Sequence, residues 1–304
     1  MKPVSILEFP TNLGLRAPSP GREPGVRRLP SWLKAHGFYE QVGPAQLYTL
    51  TPPPYAMDLD EASGVRNADA IAHYAREQAG LVRNVLDAGY FPLAIGGDCS
   101  ILIGNALGLR KSGRYGLFFL DGHTDFAWPS MSRSKAAAGM DLAIVTGYAH
   151  PKLADIDDMK PYIQEGRVWC VGNREYDEVY EKAIRESRIH YTDLPSLRQT
   201  GVGHCVASFL WMVQEKDLDG FWVHIDLDVL DDALMPAVDS RTEGGLTYEE
   251  LDEALRALLA DPKAAGLEIT VLDPDLDPDG RYTEAFVREF TRSFRSAIRD
   301  KNIF

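Results

Sequence analysis

A chain of 304 residues, 45% hydrophobic and 25% charged, has the composition of a globular protein with a well-buried core, which excludes extended disorder. A formal net charge of -13 repels phosphate backbones and anionic lipid, so the expected partner is a small molecule, with no nucleic acid and no membrane. Cys99, Cys170 and Cys205 are odd in number and far apart, which argues against a disulfide framework and for a reducing compartment. The N-terminal apolar run is Pro-interrupted and too short for a signal sequence, and no stretch approaches the roughly 18 apolar residues needed to span a bilayer. Cytoplasm is the expected location.

In chain order, short apolar runs alternate with longer amphipathic stretches, the pattern of a parallel sheet flanked by helices. Val4–Phe9 reads as a first strand and opens into a loop rich in Pro, Gly and Arg up to Pro30. Residues 69–88 carry helical periodicity, with Ile71, Tyr74, Leu81, Val85 and Leu86 on one face and Gly89 ending the helix. Further strands are expected at residues 91–95, 115–120, 167–171, 220–227 and 267–272, the last of them central. Helices are expected at residues 176–188, 202–215, 248–259 and 283–301, with Thr247 and Glu250 at capping-box spacing. No repeat or linker divides the chain, so residues 1–304 are expected to form a single domain.

Ligands of open α/β sheets collect beyond the carboxyl ends of the strands. Three polar clusters fall there: Gly96-Gly97-Asp98-Cys99-Ser100, Asp121-Gly122-His123-Thr124-Asp125, and Asp226-Leu227-Asp228 with Asp231 following. The first is a weak signal alone. The second is stronger, because an apolar strand delivers Asp, His and Asp at alternate positions, a mixture of hard oxygens and imidazole that suits a divalent transition ion. In the third, an extended segment would put both carboxylates on one face. Each aspartate singly could be a helix cap or a solvated turn residue. So many buried carboxylates together carry a large repulsive and desolvation cost unless a cation sits among them.

In this order and spacing the segments resemble the signature blocks of the ureohydrolase superfamily, which includes arginases, agmatinases and formiminoglutamases. Gly-Gly-Asp-Cys-Ser is similar to its Gly-Gly-Asp-His-Ser block, Asp121–Asp125 to Asp-Ala-His-x-Asp, and His224–Asp231 to Ser-x-Asp-x-Asp-x-x-Asp-Pro. Weaker echoes follow at Pro236, at Gly244-Gly245-Leu246-Thr247, and at Asp273-Pro274 and Asp277-Pro278. The resemblance implies a three-layer α/β/α sandwich with a mainly parallel central sheet of about eight strands. It implies a binuclear manganese centre bridged by hydroxide, and a homo-oligomer, a trimer or hexamer. Carried onto matching positions, Asp121, His123, Asp125, Asp226 and Asp228 become metal ligands, Asp125 also the proton carrier, and Cys99, at the place of a family His, is expected as a sixth ligand.

Four departures from the pattern bear on the substrate. Cys99 stands where the family has His, and its softer sulfur makes zinc or iron competitive with manganese; Cys99 as a small buried filler is the alternative. Ala138 stands where arginases carry a proton-shuttling His, and Val271 where arginases and agmatinases carry a guanidinium-anchoring Glu. Without that carboxylate a buried guanidinium loses a bidentate, charge-assisted pair. Ala127 replaces an Asn that meets arginine's carboxylate, while Ser132, Ser134 and Asp177 remain as substrate contacts, and Phe126 and Trp128 as an apolar mouth. His224 is turned by strand alternation to the side of Asp226 and Asp228, as a substitute acid, a support for the ligands, or a core histidine; His150 is incidental.

The expected activity is metal-dependent hydrolysis of a C–N bond in a small amidine-, guanidine- or amide-like substrate other than plain arginine. Two alternatives stay open. One is a single-zinc, deacetylase-like amidohydrolase that uses Asp121, His123 and Asp228; the other is a catalytically silent metal-binding homologue.

Overall fold

The runs of apolar residues become eight strands of one sheet, every pair of them parallel. The computed structural model describes residues 2–175 and 177–300, with side chains to residue 297. The strands are β1 (Val4–Phe9), β2 (Gln46–Thr49), β3 (Phe91–Gly96), β4 (Tyr115–Leu120), β5 (Val168–Asn173), β6 (His190–Asp193), β7 (Gly220–Asp226) and β8 (Ala264–Thr270). They lie in the order β2-β1-β3-β8-β7-β4-β5-β6. The expected three-layer architecture is thus present, and the strand expected at residues 267–272 is central but spans Ala264–Thr270, with Val271 and Leu272 beyond its end.

Both faces of the sheet are covered, which is why β3, β7 and β8 are buried along their whole length and read as continuous apolar runs. On one face Phe118, Phe209, Leu255, Phe286 and Phe290 build a core with the helices Val202–Glu215, Tyr248–Ala260 and Arg281–Asp300. On the other, Phe9, Ile71, Leu102, Phe119 and Leu142 build a second core with Ala68–Asp87, Ile101–Ser112 and Asp141–Thr146. The Thr247–Glu250 capping box forms as expected. The helix expected at residues 176–188 spans Glu178–Arg185, its expected start at Tyr176 lying outside the described residues, as does the expected end of the last helix at Lys301. Among the described residues no helix is long and apolar enough to cross a membrane.

Parallel pairing puts all the carboxyl ends at one edge, and β3, β8, β7 and β4 are adjacent there. The turn leaving β3 needs glycine: a Cβ on Gly97 would stand 1.7 Å from the Thr11 carbonyl oxygen. Backbone against backbone cannot yield as a flexible side chain would. Gly97→Ala is therefore expected to lose more than about 2 kcal/mol of unfolding free energy in urea titration, by strain at a fixed backbone contact. A loss within about 0.5 kcal/mol would show that this turn is free to move.

Candidate metal centre and active site

Each central strand delivers its polar segment by a distinct local device. After β3, the Asp98 carboxylate accepts N–H bonds from Gly14 (3.1 Å) and Ser100 (2.9 Å), which clamps the loop and leaves Cys99 buried beneath it. After β4, the Gly122 N–H donates to Asp228 Oδ1 at 2.9 Å, and a Cβ on Gly122 would be 2.8 Å from the Asp228 carbonyl oxygen. Asp125 has φ +43°, a left-handed conformation that aspartate adopts more readily than most residues. The strand β7 stops at Asp226, earlier than expected. Asp226 accepts the Asp228 N–H at 2.8 Å and so caps a single 3-10 turn, Leu227–Val229. That turn, and not strand alternation, brings the two carboxylates together.

The six expected ligand residues meet in one centre. His123 Nδ1 lies 2.8 Å from Asp228 Oδ2 and 3.8 Å from Asp121 Oδ1. The Cys99 thiol donates to Asp226 Oδ2 at 2.8 Å. One donor atom each from Asp121, His123 and Asp228 lie within 4.8 Å of one another, as do those of Cys99, Asp125 and Asp141, and of Cys99, Asp121 and His224. Donors on one transition ion are separated by similar spans, given metal–ligand bonds of about 2.0–2.3 Å.

The electrostatics of this centre are unbalanced by its own side chains. Burial, and then the neighbouring carboxylates, push Asp121 and Asp226 well above the usual carboxylate range. Burial followed by Asp125 and Glu268 does the same to Asp141. Burial and Asp226 push the Cys99 thiol well up. His123 is the exception: burial opposes its charge, but Asp228 and further carboxylates outweigh burial and hold it at about 10. Burial would raise Asp228, but His123 holds it below its ordinary value. One imidazolium does not neutralise five carboxylates. Asp121 Oδ2 and both Asp141 oxygens are buried without a hydrogen-bond partner. Hard oxygens, one imidazole and one sulfur around orphaned acceptors fit a divalent cation.

A cavity of about 390 Å³ opens over this centre, in the size range of small-molecule sites. Cys99, His123, Asp125, Asp226 and Asp228 line its floor together with Ala138 and Val271. Val271 has φ +80°, where a β-branched residue costs about 1–3 kcal/mol. The walls carry Ser132 and Ser134, whose hydroxyls lie 3.2 Å apart, with Phe126, Ala127, Tyr180 and Glu175; Arg16 and Arg133 stand exposed at the rim. Asp177 does not line the cavity. It caps the helix Glu178–Arg185 by accepting the Val179 N–H at 2.9 Å, and Glu175, two residues earlier, presents a carboxylate to the cavity instead. Trp128 stacks on Tyr148 away from the lining, and His150 caps the short helix Pro151–Ala154. His224 is fully buried on β7 and does not line the cavity.

Sequence reading did not single out Asp141, Glu268, Asn105 or Arg174. Arg174 is buried and donates to the carbonyls of Asp228 (2.7 Å), Leu230 (3.2 Å) and Thr242 (2.9 Å), which holds the turn that carries Asp228. Glu268 and Asn105 are wholly buried beside His224. A polar residue inside an apolar run was the available signal for Glu268 and Asn105. Asp141 reads as an ordinary acidic residue in a helix's first turn.

Comparison with known proteins agrees with this geometry. The model of the Arginase family matches residues 22–295. An arginase of Bacillus caldovelox is 33% identical over 285 residues, 91% of this chain and 93% of that protein. The solved structure of a Bacillus caldovelox arginase superposes with a TM-score of 0.86 at 30% identity, covering 98% of each chain. The arginase of Bacillus cereus follows with 0.84 at 26% identity, covering 97% of this chain and 98% of that one. Formimidoylglutamase of Bacillus subtilis, at 20% identity and a TM-score of 0.73 over 97% of this chain and 87% of that one, shares the fold. With its central strands delivering acidic segments to one edge, this chain belongs to the arginase family of hydrolases that act on C–N bonds.

Proposed function

We propose that this protein hydrolyses a C–N bond in a small amidine-, guanidine- or amide-like substrate other than plain arginine. Manganese is the favoured metal, with zinc or iron brought into competition by the sulfur of Cys99. The observation that carries the reading is the cavity floor: Val271 and Ala138 present only methyl groups beside the ligand cluster. A guanidinium bound there would find no carboxylate from that side of the floor to pair with it.

Cys99, Asp121, His123, Asp125, Asp226 and Asp228 would hold two divalent cations. When bound, such a pair would supply hydroxide from water near neutral pH. The chain's own groups do the rest. Asp125, which lines the cavity, accepts a proton at its carboxylate and returns it to the leaving nitrogen. Ser132 and Ser134 orient the substrate from the wall, and Arg16 and Arg133 at the rim suit a substrate whose far end is anionic. Glu175 takes the place expected of Asp177 for a positively charged substituent.

Stability should report the metal before any substrate is known. Asp121, Asp141 and Asp226 have raised values in the fold. Without a cation, their contribution is therefore present below the ordinary carboxylate range and lost as pH rises through the raised values. Cations require the deprotonated ligands, so they bind more tightly as pH rises. The gain in Tm on adding Mn2+ to chelator-stripped protein should be larger at pH 8 than at pH 5. An equal gain at both would separate the carboxylates from the metal.

Turnover should be assayed on agmatine, guanidino acids, formimino compounds, hydroxyguanidines and arginine. Asp125→Asn should lower kcat by about 10²–10⁴-fold on whichever is cleaved. Val271→Glu returns a carboxylate to the floor and removes a β-branched residue from its positive φ. It should raise kcat/KM for arginine relative to the preferred substrate by at least about tenfold. Release of urea from arginine by the unaltered protein at ordinary arginase rates would overturn the substrate assignment. Metal binding without turnover of any of these compounds would favour a silent homologue.

A further inference from the structure

His224 projects into the ligand cluster from a direction that the six expected ligands do not use. Its cross-strand register partner on β8 is Glu268. The Nδ1 side of the ring is hydrogen-bonded to the Glu268 carboxylate, whose second oxygen accepts from Asn105 Nδ2. All three side chains are fully buried. The ring lies flat on Phe119, centroids 4.4 Å apart and planes within 7°, so its direction is fixed. The other nitrogen, Nε2, has no partner, and it faces Asp121 Oδ2, which also has none.

The 4.0 Å between these two atoms discriminates between roles. A protonated imidazole serving as a counter-charge would close to about 2.7–2.9 Å on that oxygen. A core histidine would have both nitrogens paired. A separation of 4.0 Å, with a ring nitrogen of His224, Cys99 Sγ and an Asp121 oxygen all within 4.8 Å of one another, instead fits two donors on either side of one ion. With Nδ1–H given to Glu268, the lone pair of Nε2 is free and aimed at that point. This is the carboxylate–histidine–metal arrangement that sets tautomer and ring orientation.

We infer that His224 is itself a ligand, so that the metal position beside Cys99 is held by Cys99, Asp121, Asp226 and His224, with Glu268 and Asn105 as supports that position the ring. The inference rests on the metal-dependent reading above and extends it. Where the family's first block would offer an imidazole, this chain has Cys99; His224 brings an imidazole nitrogen to the same position from β7, across β8. As His224 is outside the cavity lining, it acts through the ion and not as an acid on substrate.

The test uses the purified protein, stripped and reloaded with Mn2+ or Co2+. Stoichiometry is read by elemental analysis, affinity by chelator competition, and imidazole coordination by nitrogen couplings in pulsed EPR of the Mn2+ form with 15N-histidine labelling. Wild type should bind two ions and show two coupled histidines, His123 and His224. Glu268→Gln keeps a hydrogen-bonding group but weakens the support, and should cost about 10–100-fold in the affinity of one ion only. The double variant H224F/E268L removes the Glu268 carboxylate together with the ring it supports, leaving Asn105 as the one polar side chain of the three, and circular dichroism checks that it keeps the fold. It should lose one ion at least 100-fold in affinity and one set of nitrogen couplings. Two ions at wild-type affinity with unchanged couplings in the double variant would overturn the ligand assignment and leave the metal-dependent function standing. Wild-type protein that takes up no divalent cation would overturn both.

Discussion

Negative charge gathered in a place from which water is largely removed is the constraint on which the rest of the molecule depends. Removing a carboxylate from water costs several kcal/mol after relaxation, and neighbouring carboxylates add repulsion. Asp121, Asp226, Asp228 and Asp141 are each buried, and His123, 2.8 Å from Asp228, is held in its cationic form by them. Everything around them resists dispersal. Asp98 clamps one loop, Arg174 ties the carbonyls of another, and Gly97 and Gly122 allow backbones to pass at distances no side chain would permit. A scaffold that stiff, around groups that repel each other, is organised for a cation that removes the repulsion.

That constraint also explains which parts of the molecule were legible in the sequence. Strands buried on both faces announce themselves as continuous apolar runs, so β1, β3, β4 and β7 were found to within about a residue. Their ligand segments follow directly, because a polar cluster straight after such a run lies at the sheet edge. The helix Ile101–Ser112 escaped notice because it is buried through Leu109 and has no polar face to create a helical period. The edge strands Gln46–Thr49 and His190–Asp193 are short and partly exposed, and carry too little apolar content to stand out. Asp226 and Asp228 were paired correctly for the wrong local reason, since one 3-10 turn does what alternation was expected to do.

The surroundings of the ligands were less legible, because they depend on which strands become neighbours. Glu268 sits in the middle of β8 and meets His224 only because β8 inserts between β3 and β7. Asp141 comes to Cys99 and Asp125 from a short helix on another layer. No local pattern encodes such meetings. Val271 is a further case: its positive φ follows from the way the chain leaves β8 while its N–H bonds to the Gly97 carbonyl at 2.7 Å. The backbone is thus strained at a residue that lines the cavity.

The departures from the family pattern belong together when they are read as one rearrangement of donors. Cys99 stands where the family pattern has an imidazole, and as a ligand it would be a softer donor. His224 and Asp141 enter that region from β7 and from the helix after the Ser132–Ser134 wall, both with unpaired atoms. Glu268 and Asn105 then become necessary, because an imidazole placed there needs its far nitrogen fixed if its near one is to hold a single direction. At the same time Ala138 and Val271 withdraw polar atoms from the cavity floor. With His224 as a ligand, as proposed above, donor capacity would have been moved from the substrate's side of the ions to the protein's side. A site altered in that sense would bind its cations more deeply and leave substrate choice to the walls and rim, where Ser132, Ser134, Glu175, Arg16 and Arg133 are found.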